Sequence, residues 1–181
     1  MITLDYYKKT GLKITWKLIA AGLNGIDNIP PQMIWEDVTD YLLETIGDSS
    51  SELMNAFDIY LEKDDYDYAE SMIMELAETE NSSVSLQKQK IIIAMLSDFI
   101  DRSGMYENTD DIIGLELEFL ELMEMISPNH ISNDLLPSTI NNQDIRRCFT
   151  WRNFYKQKEF CKAWIETKID AIREIEGTVK K

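Results

Sequence analysis

Histidine, cysteine and glycine are scarce in this sequence, and their scarcity excludes the familiar nucleophilic sites. A Ser-His-Asp triad or a cysteine protease needs a histidine beside its nucleophile, and the one histidine, His130, lies in a polar segment that contains proline. The only such dyad open to the chain pairs His130 with Cys148 or Cys161, and no nucleophile motif surrounds either cysteine. We therefore expect no catalytic residue and a protein that is not an enzyme.

Motifs that hold metals or phosphate groups are also missing. The chain has no Cys-x-x-Cys or His-Glu-x-x-His pair and no glycine-rich phosphate loop. Cys148 and Cys161 would lie about 20 Å apart on a continuous helix, too far for a disulfide, so two free thiols are expected. The acidic clusters at 64–67 and 110–111 carry oxygen ligands suited to Mg²⁺ or Ca²⁺, but helix N-caps also explain them. We expect no metal and no cofactor.

Long apolar runs are absent as well. The longest candidate, Ile91 to Leu96, is bounded by Lys90 and Asp98 and falls far short of the roughly 20 residues that a membrane span needs. The N-terminal residues do not follow the pattern of a signal peptide. These observations predict a cytoplasmic protein without membrane association.

Positive charge is scarce, and the negative charge is segregated. The chain has 33 acidic and 18 basic residues and a net charge of −15. Between Asp27 and Ile126 there are 25 acidic and four basic residues, a net charge of −21, so the rest of the chain carries +6. Such a field speeds association with a cationic partner and repels nucleic acid. We expect a basic protein partner and no direct binding of nucleic acid.

The abundant features are apolar and aromatic residues at helical spacing. With 44% apolar residues and 18 aromatic side chains, the chain can form one folded domain over residues 1–181. The pattern predicts an acidic helical body at about 1–126, a loop at about 127–142 and a long basic, aromatic helix at about 144–176. The expected class is all-α, with seven or eight helices packed as antiparallel pairs in a bundle or short superhelix.

Capping signals place the individual helices. Helices are predicted to begin near Thr15, Pro31, Ser49, Asp64 or Asp65, Ser85, Asp110 and Asp111, and Asp144. The first two should pack as a hairpin, and the helix after Ser85 should end near Gly104. The helix at 112–126 is apolar on most sides and is predicted to be central, with several neighbours. Short strands are an alternative at 91–93 and 115–119.

The C-terminal helix interleaves cations with aromatic residues, a composition also typical of surfaces that stack nucleic-acid bases. These residues are Arg146, Arg147, Arg152, Lys156, Lys158 and Lys162, with Phe149, Trp151, Phe154 and Tyr155 among them. The simpler interpretation is that this helix packs across the acidic body and buries its aromatic side chains.

Two acidic stretches are the candidate surface for a partner. In the first, carboxylates surround two tyrosines, and tyrosines are frequent interface anchors while carboxylates steer a basic partner. The candidate residues are Asp58, Glu62, Asp64, Asp65, Tyr66, Asp67, Tyr68 and Glu70, together with the helix edge Glu116, Glu118, Glu121 and Glu124. An ordinary solvated helix edge is the alternative.

The first 45 or so residues carry a family resemblance. Leu12-Lys13-Ile14-Thr15-Trp16-Lys17, with Ile19, Gly22, Gly25 and Ile34, resembles a bacterial domain family of uncharacterised function. Length, acidity and helical pattern are similar to those of immunity proteins encoded beside polymorphic and contact-dependent growth inhibition toxins. The resemblance implies an antitoxin that binds a toxin domain, commonly a nuclease, one-to-one and blocks its active site. A carboxylate-metal enzyme and a helical scaffold or adaptor remain alternatives.

Overall fold

The computed structural model describes residues 1–46, 66–126 and 150–178. Within these ranges there are seven helices: α1 (Leu4–Thr10), α2 (Trp16–Asn24), α3 (Trp35–Ile46), α4 (Tyr66–Thr79), α5 (Val84–Thr109), α6 (Ile112–Ile126) and α7 (Trp151–Thr178). Ile26 and Ile29 form an isolated β-bridge, and no strand occurs in these ranges. The all-α class is therefore confirmed. None of these seven helices is both long and apolar enough to cross a membrane.

Polar side chains determine where several helices begin. Thr15 caps α2, because its hydroxyl oxygen accepts a hydrogen bond from the Leu18 amide at 3.1 Å. Ser83 accepts from the Leu86 amide at 3.1 Å, so α5 begins at Val84 rather than after the predicted Ser85. Asp111 caps α6 by accepting from the Gly114 amide at 2.9 Å. The sequence therefore located two of these three caps.

Other predicted elements differ from the structure. Residues 91–93 and 115–119 are helical, so neither strand alternative holds. Helix α5 passes through Gly104 to Thr109, and the Ser103 hydroxyl donates to the Ile100 carbonyl at 2.6 Å. Helix α1 was not predicted. The helix expected at Ser49 and the loop at 127–142 lie outside the described residues.

The chain divides into two compact units, Met1–Ile91 and Ile92–Lys181. In the first, α2 lies antiparallel to α4, because the start of α2 contacts Glu80 whereas Asn24 at its end contacts Met74. Helix α3 contacts α1. The hairpin of α2 and α3 stays a prediction, and the pairing of α2 with α4 was not predicted. The segment before α3 folds back onto α2, where Gln32 and Met33 donate their amides to the Gly22 carbonyl.

The second unit contains most of α5 together with α6 and α7. Helices α5 and α6 run antiparallel, since Tyr106 of α5 lies beside Gly114 near the start of α6, whereas Phe99, earlier on α5, lies beside Phe119, later on α6. Phe99 lies 5.6 Å from Phe119 and 6.2 Å from Phe154, measured between ring centroids, so aromatic rings join all three helices. Further buried aliphatic side chains on α6 and α7 are Leu115, Leu122, Ile126, Ile165, Ile169 and Ile172. On the side of α6 away from its buried residues, the side chains of Ile113, Leu117, Glu121 and Glu124 are exposed.

Candidate partner-binding surface

The first acidic stretch is only partly within the described residues. Asp58, Glu62, Asp64 and Asp65 lie outside them, as does the side chain of Tyr66, the first residue of α4. Asp67 and Tyr68 are exposed in the first turn of α4, and Glu70 is half-buried. Negative charge at Asp67 also complements the α4 dipole. These positions are compatible with a partner surface, and they do not distinguish it from a solvated helix start.

On α6, hydrogen bonds distinguish Glu118 from the other three carboxylates of the second stretch. Glu118 accepts from the Tyr106 hydroxyl at 2.6 Å and pairs with the Arg102 guanidinium at 2.5 Å, and Arg102 also contacts Asp98 at 2.9 Å. The hydrogen bond to Glu118 raises the pKa of the Tyr106 hydroxyl. Glu118 is therefore committed to joining α5 and α6, and we remove it from the candidate set.

The other three carboxylates of this stretch remain available. Glu116, Glu121 and Glu124 make no hydrogen bond or ion pair with the residues that the structure describes. Glu121 and Glu124 are exposed, and Glu116 is half-buried. Their charges lack a nearby countercharge on their own helix, since residues 103–126 contain seven acidic side chains and no Lys or Arg. An external cation can therefore approach them without displacing an ion pair with any residue that the structure describes.

Two aliphatic side chains beside these carboxylates were missed by sequence reasoning. Ile113 is 67% exposed and Leu117 is 58% exposed, although α6 was predicted to be a central helix that contacts several neighbours. Sequence reasoning did not predict that this face is exposed. The signal was present in the spacing: Leu115, Phe119, Leu122 and Ile126 form a continuous buried stripe, and Ile113 and Leu117 lie about half a turn away from it.

The carboxylates just before α6 have structural roles. Asp111 is the N-cap already described, and Asp110, at a φ of 53°, accepts a 2.6 Å hydrogen bond from the Trp151 indole nitrogen. No group of three or more His, Cys, Asp or Glu side chains within the described ranges is arranged to hold a metal ion. The N-cap explanation of this cluster is supported by the bond from Gly114.

Some of the basic and aromatic side chains of α7 make contacts within the second unit. Lys158 donates to the Ser103 hydroxyl at 2.8 Å and pairs with Glu107 at 3.1 Å, while Phe154 is buried. These contacts support the predicted packing of the basic helix on acidic residues. Arg152, Lys156 and Lys162 are exposed, and Lys162 pairs with Glu159 of the same helix. Arg146, Arg147 and Phe149 lie outside the described residues.

Cys161 is placed as an interior residue of α7. It is free and buried, and burial raises the pKa of its thiol to about 11. At neutral pH the thiol is therefore protonated, and a protonated thiol is a poor nucleophile. Its predicted partners for a dyad or a disulfide, His130 and Cys148, lie outside the described residues.

In the first unit, an acidic side chain that lies just after α4 caps the start of α2. Just after α4, the carboxylate of Glu80 accepts the Trp16 and Lys17 amides of α2, both at 2.9 Å. The ammonium group of Lys17 in turn donates to the carbonyls of Glu80 and Ser82. Sequence reasoning missed this role, because Glu80 and α2 are more than 60 residues apart and no local pattern connects them.

A groove of about 250 Å³ lies beside these contacts, between α2, α4 and the start of α5. Its walls include Ala20, Ala21, Ile26, Met74 and Ala77. Gln87 also lines it, but the Oε1 atom of Gln87 accepts from Thr15 and both residues are buried. The groove therefore offers a mainly apolar wall and few accessible polar groups.

Comparison with known proteins adds no relative. No protein-family model, curated protein or solved structure matches the chain. The resemblance to immunity proteins therefore remains a prediction from the sequence.

Proposed function

We propose that the protein is a cytoplasmic immunity protein that binds a basic toxin domain one-to-one and neutralises it by covering its active site. It acts by binding rather than by catalysis. The observation that carries this proposal is the group of uncommitted carboxylates on α6, Glu116, Glu121 and Glu124, next to exposed aliphatic side chains. A surface with this composition suits a protein partner that is both cationic and partly apolar.

Electrostatics supports a cationic partner more strongly than any single contact does. The net charge of −21 between residues 27 and 126 already includes the basic residues of that range, and the ion pairs described with cations from outside it, Lys8–Glu44 and Lys158–Glu107, neutralise two charges more. A nuclease domain must attract phosphate, so the surface that binds its substrate is positively charged. An acidic protein can therefore compete directly for that surface, with fast association at low salt.

The test is capture of the native partner. The tagged protein is expressed in its own host together with the genes that flank it, and captured proteins are identified and then expressed alone. We expect a stoichiometric complex with a basic protein that arrests growth alone and is harmless in the complex, with nuclease activity that the complex suppresses. Capture of housekeeping proteins alone, or of a partner that is harmless by itself, would contradict the proposal.

A salt series on the same complex tests the electrostatic argument. The association rate is expected to fall at least tenfold between about 50 mM and 500 mM salt, because screening shortens the range of attraction between exposed charges. A rate that does not change with salt would show that the acidic surface does not steer binding.

A further inference from the structure

Along the outer face of α6, aliphatic side chains come first and carboxylates follow. Ile113 and Leu117 are one turn apart, and Glu121 and Glu124 continue the same face toward the C-terminus. The face spans about 16 Å at the rise of an α-helix. It lies opposite the buried stripe formed by Leu115 and Leu122, so binding a partner there does not require the core to open.

These aliphatic side chains are exposed on a helix that is well anchored on its other side. Leu115 is fully buried and Phe119 nearly so, whereas Ile113 and Leu117 leave most of their surface in water. Two branched side chains one turn apart form a local apolar ridge, and covering it would release their hydration water. The neighbouring carboxylates prevent the ridge from being a suitable site for a purely apolar partner.

We infer that the outer face of α6 binds a basic amphipathic helix of the partner, whose apolar side chains cover Ile113 and Leu117 while its Lys or Arg side chains pair with Glu121 and Glu124. This inference rests on the proposed function and specifies the element of the partner that is recognised. A helix fits because two packed helices present side chains at the same repeat, at interaxial distances of about 8–10 Å.

A second copy of the chain is a poorer occupant of this face. Parallel pairing of two α6 helices would place the carboxylates of one copy near those of the other, which is repulsive. Antiparallel pairing would place Glu121 and Glu124 near apolar side chains, where a carboxylate loses its hydration without gaining a partner. A basic helix avoids both costs.

The apolar half of the face is tested by Leu117→Ser, with Leu43→Ser as its matched control. Leu43 is an exposed leucine on α3, 49% exposed compared with 58% for Leu117. The captured partner is one ligand; the other is a synthetic helical peptide with two leucines one turn apart, followed by lysines on the same face. We expect Leu117→Ser to raise Kd about tenfold for both and Leu43→Ser to leave Kd unchanged. Equal affinities for the two variants would overturn the inference.

The acidic half is tested by Glu121→Gln/Glu124→Gln, with Glu36→Gln/Asp40→Asn as control. The control pair consists of two exposed carboxylates on α3. We expect the α6 variant to lower the association rate about fivefold at low salt and to approach the wild-type rate at high salt, while the control changes it less than twofold. An equal reduction in both variants would show a general field rather than a docking face.

The outcomes separate this inference from the proposed function. If a toxic partner is captured and both α6 variants still bind it with wild-type rate and affinity, only the inference fails. If no toxic partner is captured, the proposed function fails, and the synthetic peptide still tests the face. Either of two results would overturn the recognition of a partner helix. One is a scrambled peptide of the same charge that binds equally well. The other is a wild-type dimer, detected by light scattering, that is lost in Leu117→Ser.

Discussion

The two units use their carboxylates in different ways. In the first, Glu80 accepts two backbone amides of α2 and so replaces hydrogen bonds that the first turn of a helix cannot make internally. In the second, Glu118 and Glu107 pair with the side chains of Arg102 and Lys158. The second unit also retains three carboxylates on α6 that have no role in these networks.

This difference shows why a charge count cannot locate a partner surface. Glu116 and Glu118 are two residues apart on one helix and look equivalent in the sequence. Glu118 faces α5 and is neutralised there, whereas Glu116 is not. The surface that can recruit a partner consists of the charges that remain after the internal pairs have been subtracted. Four experiments test how the two units use their charged and buried side chains, from the largest expected effect to the smallest.

Removal of the Glu80 cap should have the largest effect on stability. Glu80→Ala removes two charge-assisted hydrogen bonds and leaves two amides of α2 without an acceptor, so we expect the free energy of unfolding to fall by about 3 kcal/mol. Urea denaturation gives the value. Glu78→Ala, at an exposed glutamate two residues earlier, is the control and should cost less than about 0.5 kcal/mol. Similar losses in the two variants would contradict the capping role.

Loss of the ion-pair network of Glu118 should have the second-largest effect on stability. Glu118→Ala separates the Arg102 guanidinium and the Tyr106 hydroxyl from their shared acceptor, and we expect a loss of about 2 kcal/mol. Glu116→Ala on the same helix should change stability by less than about 0.5 kcal/mol. If Glu116 proved as important as Glu118, the division of α6 into committed and available carboxylates would be wrong.

Cys161 tests how well the interior of the second unit excludes water. Burial raises the pKa of this thiol from 9.0 to about 11, so folding favours the protonated form. The resulting stability is fully present below pH 9, where the unfolded thiol is also protonated, and is lost as the pH rises through 11. We expect the wild type to lose about 2 kcal/mol more than Cys161→Ala between pH 8.5 and pH 11.5, as measured by urea denaturation at each pH. Parallel pH profiles would indicate that the thiol is solvated.

The surface pair of Asp27 and Lys88 should have the smallest effect. Its atoms are 2.6 Å apart, but the Asp27 side chain is 61% exposed, so solvent screens the attraction. A double-mutant cycle with Asp27→Asn and Lys88→Met should give a coupling energy of about 0.5 kcal/mol. A coupling above about 2 kcal/mol would mean that surface pairs contribute as much to the first unit as the Glu80 cap does.

Much of the helical structure could be predicted because its signals are local. Thr15 and Asp111 bond to amides three residues later, so their capping role can be read directly from spacing. The buried stripe of α6 repeats with the helical period and was predicted correctly. The pairing of α2 was not, because its contacts with Glu80 and Met74 involve residues 50 or more positions away.

The candidate site was predicted only in outline, because the role of each of its residues depends on contacts between residues distant in the chain. The α6 edge was located by composition, but the role of each carboxylate depends on what α5 places beside it. Arg102 removes Glu118 from the available set, and no comparable partner reaches Glu121 or Glu124 within the described ranges. The exposure of Ile113 likewise depends on which side of α6 the rest of the second unit covers.

The sequence by itself determined the helical class, the positions of several caps and the segregation of negative charge, because each follows from residue type and short-range spacing. Tertiary structure alone decided that α2 pairs with α4, that Glu118 is internal and that Ile113 and Leu117 remain exposed. Those properties depend on contacts between residues distant in the chain, since burial and ion pairing are set by the neighbours that folding brings together.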